Sequence, residues 1–553
     1  MYDMARALSE HELPTLRIIG EWYELDLTGQ QKNACVKALA EVLSLLDMSE
    51  EIIYLPPEEH AAFLALIESG GRMQIAKFER EFGTVRQMGP GRLEREEPWL
   101  DPVSPAEALW YRGFLYRDFD DSDDSDLEEY YYLPTELKEQ FPSPESESTD
   151  DERGLPQIPY STPESFYAAS DDAVDDLTAL LAAAQNEPLI EDELSRIGKF
   201  LLNDNLSRLS LLYTLAWELK LLRPTNQGAK PTRKVVEWLR SSRTKRRRDL
   251  VNAWLQSSWS ELFHTPGIEC EAGRWEHDPK LARRTLLDFL PKDSSWYRLY
   301  DLISSIKENE PDFQRPGSNY DTWYIRDKGS GEYLVGFQSW DQVEGNQLAY
   351  TMRFPLYWLG LIDLNSLTAD SETLFRLNSN ALAWLAGSVD EHESVEVPIV
   401  VRDDATIVVP FNANAYHRFQ VARVADAEKP EEGKPFIYRL SPSSLERAQK
   451  QGIEPSRVLK FLEDSSGRPI PPSTHRAVER WDEFGTEGRL DKVLVLRVRD
   501  GEILNKLRAN PKTQPYIAET LGELAVAVRA EDRDRLRSAA AQLGLLLDDI
   551  VIT

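Results

Sequence analysis

The chain has 553 residues and carries 64 Lys and Arg against 95 Asp and Glu, a formal net charge of −31 at pH 7. At about 150 residues per domain this length predicts roughly three to five compact units, and 41% apolar residues with 14 Trp, 21 Tyr and 19 Phe exclude a disordered chain. So acidic a chain is also excluded as a general polyanion binder, because its mean field repels phosphate; any nucleic-acid contact has to come from a local basic face.

Residues 1–50 predict two or three short helices. Thr28-Gly29 breaks the pattern, and Asn33–Leu46 then runs at helical spacing through Val36, Leu39, Ala40 and Leu43. Pro56-Pro57 opens a unit over 55–141. Its first helix carries Phe63, Leu64 and Ile67 and stops at Gly70-Gly71; its second, Ile75–Phe82, stops at Gly83. A third is capped by Ser104-Pro105 and contains Ala108 and Leu109. Phe114–Phe119 and Glu129–Leu133 then flank a loop, and three helices followed by such a hairpin is the order of a winged helix. Residues 118–129 hold eight acids in twelve positions and fall at the expected wing tip. Residues 142–176, rich in Pro, Ser, Asp and Glu, predict a disordered acidic linker and the clearest boundary.

The spacing of Leu194, Ile197 and Leu201, and of Leu209, Leu212, Leu215 and Leu219, predicts helices. Leu221–Pro231 reads as a hairpin, with further helices at Lys234–Leu239 and Leu250–Leu255, so 177–275 is a second winged-helix-like unit containing a basic segment. Residues 280–370 continue in the same style, with helices through Leu286–Leu290 and Leu299–Ile306 and a turn at Gly329-Ser330-Gly331. From 371 to 553 the pattern changes to an α+β domain: strands at Glu396–Val401 and Thr406–Val409 around Asp403-Asp404, helices at Ser443–Gln451, Pro455–Leu462 and Pro472–Trp481, and a strand at Lys492–Val498. A helix at Glu502–Arg508, a strand at Leu524–Val528, a helix at Asp532–Leu546 and a final strand at Asp549–Ile552 close it. The predicted fold class is therefore α+β multidomain, mostly α winged-helix-like units followed by a C-terminal α+β domain.

The segment IYRLSPSSLERAQKQGIEPSRVLKFLEDSSGRPIPPSTHRAVERW, Ile437–Trp481, resembles the N-terminal domain of XPB-type helicases, which also occurs in bacterial chains with no motor attached. The shared pattern is an aromatic-X-Leu, a Ser-Pro-capped helix, a Gly, a second helix, a Ser-X-X-Pro and a closing Trp. The similarity extends over about 370–553, and FEREFGTVRQMGPGRLEREEPWLDPVSPAEALWYRG resembles the front of such motorless proteins. The resemblance implies a domain that sits beside duplex DNA and docks on helicase or repair partners. It implies no catalysis: the family's motor needs a Gly-rich phosphate loop ending in Gly-Lys-Ser/Thr, and the sequence holds none. Residues 13–43 loosely resemble a SAP-type DNA-binding helix pair, in which Lys32 is the candidate contact although Gln30-Gln31 stand where that family often has lysine.

The strongest electrostatic feature is Lys230–Leu250. Nine cations, Lys230, Arg233, Lys234, Arg240, Arg243, Lys245, Arg246, Arg247 and Arg248, stand against two acids, Glu237 and Asp249. Cations at this density neutralise phosphates and release counterions, or else pair with the chain's own acidic segments. Asp204 followed by Glu218-Leu219-Lys220 has the residue types of a metal-dependent nuclease, but on a helical pattern where that site uses neighbouring strands. His264, Cys270 and His277 are spaced too loosely for zinc. Only two cysteines, no basic-then-apolar leader, and no apolar run near the roughly 20 residues of a membrane helix predict a soluble cytoplasmic protein. The sequence thus predicts a non-enzymatic, cofactor-free accessory protein whose partners are DNA and a helicase or nuclease, with a protein-only scaffold as the alternative and a metal-dependent nuclease behind it.

Overall fold

The computed structural model describes residues 2–120, 128–141, 159–271, 273, 275, 277–315, 318–368, 371–387, 395–488 and 493–548. The fold is mixed α+β, with many short helices and small antiparallel sheets. The chain divides into two units, Met1–Ile399, Val408–Arg423 and Ala427–Tyr438 in the first, and Val400–Ile407, Val424–Asp426 and Arg439–Thr553 in the second.

In the first unit, the helices Met4–Glu10, Leu13–Trp22 and Lys32–Leu43 bury Met4, Leu8, Leu16, Ile19, Cys35, Leu39 and Leu43. The same core continues through Phe63, Leu66, Phe78, Leu109, Tyr116, Tyr131 and Leu133. The expected 1–50 module and the 55–141 unit therefore share one interior; three short helices alone have too little apolar surface to bury. The second stretch runs helix Pro57–Glu68, strand Arg72–Gln74, helix Ile75–Phe82, helices Pro90–Glu96 and Pro105–Tyr111, then strands Tyr116–Asp120 and Glu128–Tyr132. The last strand is central, with Tyr131 opposite both Met73 and Arg117. The three-residue strand Arg72–Gln74 has no alternating pattern and was not expected. The acidic tip at 121–127 lies outside the described residues.

A larger core gathers the helices Asp172–Asn186, Leu206–Glu218, Arg243–Gln256, Pro279–Asp288 and Leu299–Asn309. It runs through Phe375, Leu377 and Ala381 to Ala415 and Phe419. The boundary expected at 371 is thus a change of element type inside one core: strand Leu374–Leu377 pairs with both Tyr297–Arg298 and Ile362–Leu364. The linker expected over 142–176 is also narrower. Residues 142–158 lie outside the described residues, but Tyr160 N donates to Trp296 O at 2.7 Å and Tyr167 N to Leu364 O at 2.7 Å. Phe166 packs edge-on against Trp296 with ring centroids 5.4 Å apart. Isolated aromatics finding distant partners have no periodicity, so composition alone read them as linker. Arg80 joins the two cores of this unit through a bidentate pair with Asp312, at 2.7 and 2.9 Å.

In the second unit, helices Pro442–Lys450, Pro455–Ser466 and Pro472–Phe484 enclose Leu445, Ala448, Val458, Leu462 and Val478. Then Val493–Arg497 and Ile517–Gly522 flank the central strand Ala525–Arg529, with helices Gly501–Ala509 and Arg533–Gln542. The expected strand-helix-strand-helix ending gains Ile517–Gly522 as an extra strand, and the strand expected at 549–552 lies outside the described residues.

Candidate nucleic-acid interface

The basic run begins on a hairpin, Leu222–Thr225 paired with Gly228–Pro231. Gly228 makes its turn possible: φ is +123°, and a Cβ there would stand 2.4 Å from Leu189 O. That close approach lets Leu189 and Ala229 exchange backbone hydrogen bonds at 2.9 and 2.7 Å, which fixes the hairpin on its core. Lys230 lies directly opposite Arg223 in the register. Arg223 belongs to the same surface but stands before the dense run in sequence; only the pairing register reveals it.

The helix Lys234–Arg240 follows. It buries Val235, Trp238 and Leu239, so helical geometry turns Arg233, Lys234, Glu237 and Arg240 outward, where all four are exposed. The Arg240 guanidinium lies 4.6 Å from the Tyr416 ring centroid. Ser242 then caps the helix Arg243–Gln256 by accepting from Lys245 N at 3.2 Å.

On this last helix the cations serve the interior. Arg243 makes two bonds to Asp171, at 2.6 and 2.9 Å, and a third to Asp175 at 2.5 Å. Both acids lie in the stretch read from sequence as acidic linker. Burial opposes the charge on Arg243, yet Asp175 and Asp171 raise its pKa above the ordinary guanidinium value. Asp175 also accepts from Arg418 at 2.8 Å. Arg246 is only 6% exposed and lies over the Trp238 ring, its Nε without a partner among the described residues. Burial, then neighbouring Arg243, pushes it down to about 10. Arg247 is half-buried with Nη1 3.9 Å from Asp171, and burial lowers its pKa as well. Lys245 is exposed but bonded to Asp249 at 3.0 Å, and Arg248 is half-buried. Lys32 is exposed at the start of Lys32–Leu43, a helix that packs on the N-terminal core. Arg233, Lys234 and Arg240 are therefore exposed with Glu237 on one short helix and its start, Lys230 is half-buried on the hairpin before it, and Arg243, Arg246 and Arg247 pack against the interior.

The other candidate chemistry is dispersed. His264 stacks on Trp259 with centroids 4.4 Å apart. Burial pushes the Cys270 thiol up to about 12 and His277 down to about 4. Glu218 ends the helix Leu206–Glu218, Lys220 follows in a left-handed conformation, and Asp204 is exposed with Lys429 Nζ 3.8 Å away. Among the described residues no three His, Cys, Asp or Glu side chains are grouped to hold a metal ion, and no helix is long and apolar enough to cross a membrane.

In the second unit, Ser441 forms a reciprocal capping box with Ser444, 3.0 Å in each direction. Ser441 Oγ also donates to Asp426, which accepts from Arg447 Nη1 at 2.9 Å. Thr474 Oγ1 and Ser473 Oγ tie the Pro472–Phe484 helix to Arg402 O and Asp403 O at 2.8 and 2.7 Å. A family model described as "Helicase conserved C-terminal domain" matches residues 399–522, a range that includes this stretch. No curated protein matches the chain.

Proposed function

We propose, from the helicase-related domain at residues 399–522, that this chain is a non-catalytic accessory protein that engages DNA through the first unit and docks a helicase or repair partner. The observation that carries the DNA part is the exposure of Arg233, Lys234 and Arg240 on one short helix and its start, with Lys230 half-buried on the hairpin before it, in a chain of net charge −31. Such a cluster is positioned to neutralise phosphates where the rest of the surface cannot. The charge is also unevenly spread: residues 399–522 hold 20 Lys and Arg against 18 Asp and Glu, so the helicase-related part does not itself repel a polyanion.

Two finer elements belong to this reading. The helix-strand-helix-helix-helix-strand-strand order of Pro57–Tyr132, with its last strand central, supports a winged helix. The capped helix Pro442–Lys450, the turn at Gly452 and the helix Pro455–Ser466 support likeness to the XPB N-terminal domain. Fold alone does not distinguish a DNA-binding winged helix from a protein-binding one. The engagement of Arg243, Arg246 and Arg247 with the interior favours a second reading, a scaffold that contacts only proteins.

Fluorescence anisotropy with duplex, single-stranded and forked DNA at about 50 and about 200 mM salt separates the two. Wild type is expected to bind in a salt-dependent way. The combined Lys230→Gln, Arg233→Gln, Lys234→Gln, Arg240→Gln variant is expected to lose affinity about tenfold or more. Equal binding by this variant would move the interface elsewhere, and no binding by wild type at low salt would leave the scaffold reading.

A further inference from the structure

A cavity of about 310 Å³ opens in the N-terminal part of the first unit, where the ends of Met4–Glu10 and Pro105–Tyr111 meet the strand Tyr116–Asp120 and the connection 85–88. Trp110, Tyr116 and Phe119 are among its lining residues, and Phe119 is 51% exposed. Two arginines and two glutamates also line it, and both arginines are already paired. Arg86 makes a bidentate pair with the buried Glu107, at 2.9 Å from Nε and 2.7 Å from Nη2. Arg117 pairs with Glu129 of the neighbouring strand. Glu10 and Glu12 are exposed and pair with no cation among the described residues. The charge left on the wall is therefore negative.

His11 gives an independent sign. It lines the same cavity from the turn between the first two helices, is 5% exposed, and packs against both Trp110 and Tyr116. Its Nε2 has no partner among the described residues. Burial, then Lys32, holds its pKa down at about 4, so near pH 7 the imidazole adds a ring nitrogen without adding positive charge.

We propose that this cavity is a docking pocket for a cationic side chain, and that its occupant is an arginine of the protein partner. Aromatic faces attract a cation through their quadrupole, unpaired carboxylates attract it through charge, and a neutral imidazole can accept its N–H. A phosphate would find both guanidiniums occupied and two carboxylates beside it. The volume is at the lower end for ligand cavities, roughly 300–1,000 Å³, which suits one long side chain and not a helix. Arginine fits better than lysine because its planar, weakly hydrated guanidinium stacks on rings while donating in several directions. The inference rests on the partner-docking part of the proposed function and gives that partner a chemical mark, an exposed arginine.

The test is isothermal titration calorimetry with wild type and with the combined Glu10→Gln, Glu12→Gln variant. The probes are a capped Gly-Ser-Arg-Ser-Gly peptide, the same peptide with citrulline, which keeps the shape of arginine without its charge, spermidine and adenosine. Both glutamates are exposed, so the variant is expected to fold, as checked by an unchanged melting temperature. Wild type is expected to bind the arginine peptide about tenfold tighter than the citrulline peptide, and the variant to bring the two near parity. Removing two of 95 acids hardly alters the mean field, so that loss marks the cavity. Phe119→Ala is expected to weaken the arginine peptide about threefold. A preference that the variant keeps belongs to the general field and overturns the pocket. No preference in wild type also overturns it, and leaves the docking reading, which rests on residues 399–522, standing. Spermidine bound as tightly as the arginine peptide, and lost in the variant, keeps a cation site but removes the protein source. Adenosine bound more tightly than either peptide reassigns the cavity to a base and overturns the proposal.

Discussion

Arg233 and Arg243 belong to one basic run, yet tertiary contacts give them opposite tasks. Arg243 neutralises Asp175, which is buried at 5% exposure, and Asp171. Arg243→Gln leaves those carboxylates short of a partner and is expected to lower unfolding free energy by about 2–3 kcal/mol in urea titrations, since charged hydrogen bonds in partly buried settings have that worth. Arg233→Gln, at an exposed position, is expected to stay within about 0.5 kcal/mol. His11 makes a second residue-level prediction. It is 5% exposed, packed against Trp110 and Tyr116, and its Nε2 has no partner among the described residues. Burial, then Lys32, pushes its pKa from 6.5 down to about 4. Between those values the unfolded chain binds a proton that the folded chain refuses, so stability is full above about 6.5 and is lost as pH falls toward about 4. Chemical unfolding at stepped pH is expected to show this loss, and His11→Phe to flatten that part of the profile.

At the scale of elements, helix ends decide the second unit. Ser441 accepts from Ser444 N, Ser444 Oγ accepts from Ser441 N, and Asp426 accepts from both Ser441 and Arg447. Ser441→Ala removes the cap and one bond to Asp426, with an expected cost of about 1 kcal/mol in thermal or urea unfolding. Asp, which can accept from the same amide, is expected to cap less well than Ser here because it faces Asp426. The elements most legible from sequence were those with such punctuation: Ser104-Pro105 before Pro105–Tyr111, Ser441-Pro442 before Pro442–Lys450, and the hairpin that became Leu222–Thr225 and Gly228–Pro231. Arg72–Gln74 and Asp426–Ala427 were illegible because strands of two or three residues exist only through their partners, and Ala415–Val424 was missed because AYHRFQVARV mixes polar and apolar residues without a clear stripe.

At the scale of the whole molecule, charge is segregated, since residues 439–553 hold 19 Lys and Arg against 18 Asp and Glu and the whole of the −31 total comes from the rest of the chain. With Lys230, Arg233, Lys234 and Arg240 as the phosphate contacts, the slope of log affinity against log salt is expected to be no steeper than about −3.6, at about −0.9 per phosphate. A steeper slope in anisotropy over about 50 to 200 mM salt would mean that further cations engage DNA. Arg80 and Asp312 likewise act at this scale, because their bidentate pair joins two cores of the first unit.

What the sequence by itself determined was the mixed α+β class, most helix positions, the helicase-related character of the C-terminal region and the location of the densest basic run. Those properties are local: they follow from caps, breakers, periodicity and residue spacing. Which cations face outward and where cores begin and end were decided by tertiary structure alone. Each depends on which distant segment fills a helix face or pairs with a strand, as Asp171 and Asp175 do for Arg243 and Leu189 does for the hairpin. Charge density along a chain reports how many cations are present, and only packing determines which of them are spent on the chain's own carboxylates.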